Sequence, residues 1–249
     1  MLPDDLTPEQ FSRKPAVLKA LNNPRSPGSV LNYMCGCDIN NPNDRKSLFY
    51  DETVEPLLGI WFRSGTALDH ICKPFSSVIR ELQADPQTLV EDAWLTIEGQ
   101  VAKVILADQL SRSCFRGTAE AFSFDCIGRE LVRDLVSKKK VEQTLKLPPA
   151  LLYLIPWALA HSEEIIDLVR ACEIIDMAIG AYPNFNLFEG RNKKAVDQHR
   201  QVLEKFGRYP QRNLELGRAN TPEEETWLND KENLPIWAGG NLSFDQKIK

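Results

Sequence analysis

The chain has 249 residues, with 30 Lys and Arg against 35 Asp and Glu, so its formal net charge is −5. Its content of 43% hydrophobic and 26% charged residues is that of a globular protein, which excludes a disordered chain, a collagen, a coiled coil and a disulfide scaffold. A chain of this length can bury enough surface to be stable without disulfides or a metal. Its negative net charge argues against nucleic-acid binding, which needs a positive field.

Apolar side chains recur every three or four residues along most of the chain, as in Ile165, Val169 and Cys172. This spacing is typical of amphipathic helices, and no sustained alternation predicts a strand. The chain is therefore expected to be all-α. In chain order, helices are predicted near residues 16–22, 30–34, 67–83, 87–111, 118–138, 149–160, 163–180, 192–206 and 222–230, with loop in the remainder of 22–50 and an irregular tail after Leu234.

Several helix boundaries are marked by capping and breaking residues. Thr221-Pro222-Glu223-Glu224 has the pattern of a capping box with proline at the first helical position. The other predicted N-caps are Asp85, followed by Pro86, and Ser162, followed by two glutamates. Gly207 suits a left-handed C-terminal turn. Interruption or kinking is expected at two prolines inside apolar patterns, Pro74 and Pro156.

The first segment, MLPDDLTPEQFSRKP, is acidic and contains proline, which is not the pattern of a secretory signal or a transit peptide. No apolar run approaches the roughly 20 residues of a spanning helix. The six cysteines are scattered, and neither a second close pair nor a nearby histidine joins Cys35-Gly-Cys37 to form a zinc site. We expect a soluble cytoplasmic protein with reduced thiols and no metal, cofactor or membrane partner.

Charged residues occupy core-facing positions of the helix predicted at 87–111. The apolar stripe through Val101 and Val104 continues to Asp108 and, one turn later, to Arg112. An unpaired buried charge costs several kcal/mol, so these side chains need partners. The nearest candidates are each other, followed by Arg116.

The histidines form a second group of unusual positions. His199 lies on the apolar face of the helix at 192–206, and His161 precedes Ser162 and Glu163 at the start of another helix. Between His199 and residue 218 the sequence holds five basic and two acidic residues, a local positive patch in an acidic chain. His70 is interpreted as a surface residue.

Three stretches carry a resemblance to a known family: LADQLSRSCFRGTAEAFSFD at 106–125, AHSEE at 160–164 and HRQVLEKFGRYPQRNLELGRANTPEE at 199–224. With weaker matches, they resemble the DUF924 family of uncharacterised, mostly bacterial proteins over roughly residues 29–229. The resemblance implies an all-helical fold grouped with tetratricopeptide-like helix arrays, and it implies no activity.

The polar residues that match the family's motifs are Asp108, Gln109, Arg112, Arg116, Asp125, His161, Ser162, Glu163, His199, Arg208, Arg212, Asn213 and Arg218. The chain departs from the family pattern at Leu110-Ser111, where the family usually has a bulky residue and proline. It also has Gln211 where the family usually has histidine, and the spacing from Pro156 to His161 is longer than usual.

The expected architecture is one all-helical domain, residues 1–249, with about eight to nine helices. It comprises an N-terminal extension (1–28), a family-like core (29–229) and an irregular tail (230–249). The helices are expected to pack around a polar centre in which Asp108, Arg112 and Arg116 approach the histidines and the arginine-rich turn.

Three functions remain open for this centre. It is a structural ion network, a site for an anionic small molecule, peptide or partner protein, or the site of a hydrolase or transferase that acts on an anionic substrate. The candidate binding residues are Asp108, Gln109, Arg112, Arg116, Arg208, Arg212, Asn213 and Arg218. The candidate acid–base residues are His161, Glu163 and His199.

Overall fold

The structure, a computed structural model, describes residues 6–62, 64–84, 88–243 and 248. Within these ranges it is all-α, and its β structure is one isolated bridge between Pro235 and Leu242. The predicted fold class is confirmed. The helices of the described part outnumber the eight or nine predicted, because prolines and turns divide several of them. The tetratricopeptide-like grouping and the domain boundaries stay predictions.

The α-helices up to residue 114 are α1 (Pro8–Ser12), α2 (Pro15–Asn22), α3 (Pro27–Cys35), α4 (Pro42–Ser47), α5 (Asp51–Phe62), α6 (Ser76–Ala84), α7 (Asp92–Leu95), α8 (Ile97–Ile105) and α9 (Ser111–Cys114). The later ones are α10 (Asp125–Leu135), α11 (Val141–Thr144), α12 (Pro149–Leu154), α13 (Trp157–Ala160), α14 (Ile165–Ala181), α15 (Lys194–Phe206) and α16 (Pro222–Asn229). Short 3-10 helices lie at Lys73–Phe75, Ala119–Phe122, Pro210–Arg212 and Ile236–Ala238, and π-helical turns at Leu106–Leu110 and Phe188–Lys193.

Four of the described α-helices lie where the sequence did not predict them: α1, α4, α5 and α11. α4 falls inside the segment predicted as loop. The Asn41 side chain accepts hydrogen bonds from the first-turn amides, and Pro42 follows at the first helical position, a start signal that was available in the sequence. α5 has twelve residues with Pro56 inside, and this proline obscures the helical pattern.

Three predicted helices are shorter or more divided than expected. The helix predicted at 67–83 begins only at Ser76, after turns and a 3-10 helix that contains Pro74. The helix predicted at 118–138 is a 3-10 turn followed by α10. The one predicted at 87–111 is interrupted at Thr96, whose extended backbone ends α7 and whose side chain caps α8.

The capping predictions have mixed outcomes. The capping box at Thr221 and the left-handed Gly207, with φ 70°, are confirmed, and Pro156 separates α12 from α13 as expected. The prediction for Ser162 is wrong: α14 begins at Ile165 behind Glu164, and the Ser162 hydroxyl accepts a hydrogen bond from the Glu164 amide two residues on. The predicted cap at Asp85 lies outside the described residues.

Packing brings the second half of the chain around the helix that contains Asp108. α10 and α13 pack against the π-helical turn at Leu106–Leu110, and α13 also contacts α14 and α15. The segment after Leu234 lies across α15, where the amide of Gln198 donates a hydrogen bond to the carbonyl of Ser243. None of the described helices has the length and apolar character needed to cross a bilayer, and a cytoplasmic location stays a prediction.

Candidate functional site

Asp108 lies on the π-helical turn that joins α8 to α9, and its side chain is 2% exposed. Arg112, one turn later, forms the expected ion pair with the carboxylate at 2.9 Å and also donates to the Asp108 carbonyl at 2.8 Å. The Gln109 amide donates to the second carboxylate oxygen at 2.6 Å. Burial alone would raise the pKa of Asp108, but Arg112 and His161 hold it well below its usual range. Asp108 is therefore a buried carboxylate anion.

His161 follows the last residue of α13, and its Nδ1–H donates to Asp108 Oδ1 at 2.8 Å. Burial, together with the positive charges of Arg112 and Arg212, lowers the pKa of His161 by more than the Asp108 carboxylate raises it. The ring is therefore neutral at pH 7, with its proton on Nδ1. Nε2 then carries a lone pair, and no group in the described ranges forms a hydrogen bond to it.

His199, on α15, is buried beside His161, with ring centres 5.6 Å apart. Its Nδ1–H donates to the Ala195 carbonyl at 2.7 Å, and its ring stacks on Trp237 at 3.8 Å. Burial and the adjacent His161 lower the pKa of His199 well below its ordinary value. The site thus contains two neutral imidazoles in contact distance of aromatic rings.

Two guanidinium groups share one carboxylate next to the histidines. Asp125, the first residue of α10, lies 3.0 Å from Arg112 and 3.4 Å from Arg212. Arg212 is buried over the rings of Tyr209 and Phe122, at 4.5 and 4.9 Å. Burial, followed by repulsion from Arg112, lowers the pKa of Arg212. Asp125 was matched to a family motif but was not among the predicted site residues.

We call the six residues Asp108, Arg112, Asp125, His161, His199 and Arg212 the polar centre. Two cavities lie against it. The polar cavity, about 220 Å³, is lined mainly by Arg112, Arg116, Phe122, Gln211, Arg212 and Glu215. The aromatic cavity, about 140 Å³, is lined mainly by Leu58, Phe62, Tyr153, Trp157, Ile236 and Leu242. His161, His199 and Trp237 line both cavities.

Other predicted site residues form a separate group, the outer ion-pair cluster of Glu163, Arg208, Arg218 and Glu224. Arg218 donates to both oxygens of Glu163 at 2.7 and 2.9 Å. Arg208 donates to both oxygens of Glu224 at 2.6 and 2.7 Å and lowers the pKa of that carboxyl to about 2. These bidentate pairs hold the chain around residues 207–224.

The remaining predicted residues also have structural partners. Asn213 is buried and donates to Asn220 and to Glu224 of the outer cluster. Arg116 lines the polar cavity, but it pairs with Asp69 at 2.6 Å and does not reach Asp108. Glu163 also accepts a hydrogen bond from the Tyr209 amide at 2.8 Å. This bond positions Tyr209, whose ring contacts the Arg212 guanidinium. His70 is exposed, as predicted.

Sequence reasoning missed the aromatic part of the site. Trp237 was assigned to the irregular tail, and Trp157 and Tyr209 were not singled out. One available signal was the position of Trp157, one helical turn before His161. The stack of Trp237 on His199 depends on packing between segments 38 residues apart and had no local signal. Within the described ranges, no three His, Cys, Asp or Glu side chains group in a way that would hold a metal ion.

The fold and site define an all-α protein with an ionic centre between a polar and an aromatic cavity. The DUF924 family, described as a bacterial protein of unknown function, matches residues 47–232, and the chain belongs to this family. The chain is also similar to a solved structure of a protein of unknown function, ATU0120 from Agrobacterium tumefaciens. The two are 29% identical with a TM-score of 0.53, over 68% of this chain and 88% of the other. No curated protein matches the chain.

Proposed function

We propose that the polar centre binds an anionic small molecule through Arg212 and Arg112. The observation that carries this proposal is the bonding of Arg212. Its buried guanidinium has one hydrogen bond within the described ranges, a long one of 3.4 Å to Asp125, which already binds Arg112. A guanidinium has five N–H donors.

The chemistry of the polar cavity supports an oxyanion as the ligand. Guanidinium groups match the two oxygens of a carboxylate or phosphate with parallel hydrogen bonds, and such bonds are strongest where water is excluded. The buried Arg212 guanidinium contacts two aromatic rings, so little side-chain freedom is lost on binding. A cavity of about 220 Å³ favours a small molecule over a peptide or a partner protein, whose interface needs a broad surface.

The test is a thermal-shift and calorimetric titration with acetate, phosphate and hexanoate. Wild type is compared with Arg212→Met, with the conservative Arg212→Lys, and with Arg80→Met as a matched control. Arg80 pairs with Glu120 on the surface and lines neither cavity. We expect at least one anion to raise the Tm of wild type and of Arg80→Met, with a smaller effect on Arg212→Lys and none on Arg212→Met.

Equal shifts in all four proteins would indicate a nonspecific salt effect and contradict the proposal. If no anion shifts the Tm of wild type while Arg212→Met is less stable, the polar centre is a structural ion network.

A second candidate function is general-base catalysis, favoured by the Asp108–His161 pair. A buried carboxylate that accepts from Nδ1–H fixes the imidazole tautomer and leaves Nε2 to take a proton. In this candidate mechanism Nε2 takes a proton from a water molecule that attacks an ester carbonyl. The acyl–oxygen bond then breaks, the proton passes to the departing alkoxide, and Arg212 binds an anionic group of the substrate. His199, 5.6 Å away, is the second candidate acid–base group.

This candidate is tested with 4-nitrophenyl monoesters of dicarboxylic acids as probes. Turnover by wild type, lost in His161→Gln with retained binding of the corresponding acid, would assign catalysis. If wild type binds the acids and hydrolyses none of the esters above the buffer rate, the site is assigned to binding alone.

A further inference from the structure

The aromatic cavity is the second feature that a ligand for this site must match. Phe62 and Trp157 form one wall with ring centres 4.9 Å apart, and Tyr153 lies next to Phe62 at 6.2 Å. Charged groups in its lining, Glu55 and Arg191, form an ion pair with each other at 3.2 Å. The cavity therefore has an apolar interior suited to a hydrocarbon group.

The aromatic cavity lies directly beside the polar cavity. His161, His199 and Trp237 belong to both linings, so these rings form the boundary that a single molecule must cross to occupy both cavities. Tyr209 is buried behind this boundary, with its ring 4.5 Å from the Arg212 guanidinium and 5.8 Å from the His199 ring. The pair of cavities thus has a polar end, lined by three arginines and the carboxylate of Glu215, and an apolar end.

We propose that the ligand is a small amphiphilic carboxylic acid, with its carboxylate on Arg212 and its hydrocarbon body in the aromatic cavity. This inference rests on the proposed anion-binding function and adds the class of ligand. The volume sets the size of the body. An apolar cavity of about 150 Å³ holds one benzene ring, and the aromatic cavity measures about 140 Å³. The body is therefore one aromatic ring or a chain of about six carbons.

The size limit gives the affinity a maximum along a series of acids. Each buried methylene contributes about 0.8 kcal/mol, which is about a fourfold change in Kd. Acetate, butyrate and hexanoate should therefore bind progressively more tightly, with hexanoate about 250-fold tighter than acetate because it has four more methylenes. Decanoate should gain nothing further, and 3-phenylpropionate should bind about as tightly as hexanoate. Hexan-1-ol lacks the carboxylate and should bind more weakly than hexanoate.

Calorimetric titration of this series is carried out on wild type and on variants that fill the aromatic cavity. Ile236→Trp adds bulk at a position that lines the cavity but is 47% exposed, so its effect on folding is small. Leu58→Phe adds bulk from the buried side. Ile166→Trp is the matched control, since Ile166 is 54% exposed and lines neither cavity. We expect both filling variants to weaken hexanoate at least tenfold and to leave acetate unchanged, and the control to match wild type.

The possible outcomes distinguish a failure of this inference from a failure of the proposed anion-binding function. If acids bind in an Arg212-dependent manner but with no gain from acetate to hexanoate, the amphiphile inference is wrong and the anion site stands. If the gain persists in both filling variants, the hydrocarbon body lies elsewhere and the inference is again wrong. If no acid or phosphate binds, the proposed function itself fails.

Discussion

The polar centre and the outer ion-pair cluster use the same residue types in opposite ways. In the outer cluster each arginine has its own carboxylate: Arg218 binds Glu163 and Arg208 binds Glu224, each through two short hydrogen bonds. In the polar centre Arg112 and Arg212 both pair with the carboxylate of Asp125, at 3.0 and 3.4 Å. The first arrangement gives each arginine a carboxylate bound through two hydrogen bonds, although Arg218 Nε has no partner among the described residues, and the second leaves most donors of Arg212 beside a cavity.

This difference separates arginines that the sequence groups together. Arg208, Arg212 and Arg218 lie within eleven positions of one turn, and nothing in their spacing distinguishes them. Their partners do, because a guanidinium held by both oxygens of its own carboxylate stabilises the turn, while one with a single long hydrogen bond can bind a ligand. The outer cluster also supports the polar centre, since Glu163 and Arg218 hold the backbone of Tyr209, on whose ring Arg212 rests.

The largest effect is expected from Asp108→Asn, which removes the most buried charge of the polar centre. Arg112 would lose its 2.9 Å ion pair inside the protein, and breaking a buried pair in this way costs about 3–5 kcal/mol. The free energy of unfolding, measured in urea, checks this expectation. The control Asp176→Asn disrupts an exposed pair with Lys193 and should cost less than about 1 kcal/mol. Similar losses in both variants would contradict the burial argument.

The sequence predicted the parts of the site that lie on one helix. Asp108 and Arg112 were found because the apolar stripe of their own helix leads to both positions, and His199 because it shares a face with Val196 and Leu203. Periodicity likewise predicted the long helices, and it failed for α5, where Pro56 interrupts the pattern. The fold class needed only this local information.

The parts of the site formed between helices could not be predicted in the same way. Asp125 meets Arg212 from 87 residues away, and the tail brings Trp237 onto His199. Such contacts depend on how helices pack against one another. The spacing of apolar residues every three or four positions carries no information about that packing. The two π-helical turns, before Ser111 and before Lys194, also have no simple sequence signal, although each lies in a helix that positions a site residue.

In the outer cluster, Glu163→Gln should lower stability without removing the binding site. The substitution weakens a partly buried bidentate pair with Arg218, for which a loss of about 2 kcal/mol is expected. Hexanoate affinity should change less than threefold, whereas Arg212→Met should abolish it. Urea unfolding and calorimetry measure the two effects separately. Loss of binding in Glu163→Gln at unchanged stability would indicate that the ligand binds at the outer ion-pair cluster.

Acidification should lower the stability of the folded protein through the two histidines of the polar centre. The folded-state pKa values of His161 and His199 are lowered, so the unfolded chain takes up protons at a higher pH than the folded one. The contribution of the two histidines to stability is therefore fully present above the unfolded histidine pKa of about 6.5. This contribution is lost as the pH falls below that value. Between pH 6.5 and 5.5 we expect a loss of about 1 kcal/mol from His199, whose pKa is lowered well below its ordinary value, and a smaller loss from His161.

Urea unfolding at pH 7.0 and 5.5 tests this expectation with His199→Phe, which keeps an aromatic ring against Trp237. The charged groups around the histidines are Asp108, Arg112 and Arg212, and the lowered pKa of Asp108 keeps it ionised throughout this range. The variant should lose less stability than wild type on acidification, and the exposed-site control His70→Gln should behave as wild type. An equal loss in His199→Phe would show that other groups govern the acid response.

The smallest effect is expected from Arg116→Gln, which distinguishes the mouth of the polar cavity from its interior. Arg116 lines this cavity, but it is largely exposed and pairs with Asp69 near the surface. An exposed pair contributes about 0–1 kcal/mol and is weakened by salt, so stability should fall by less than about 1 kcal/mol. Anion affinity should fall less than threefold, and raising the salt concentration should remove this difference. If Arg116→Gln instead reduces affinity as strongly as Arg212→Met, the anion binds at the exposed mouth, and the unsaturated donors of Arg212 do not define the site.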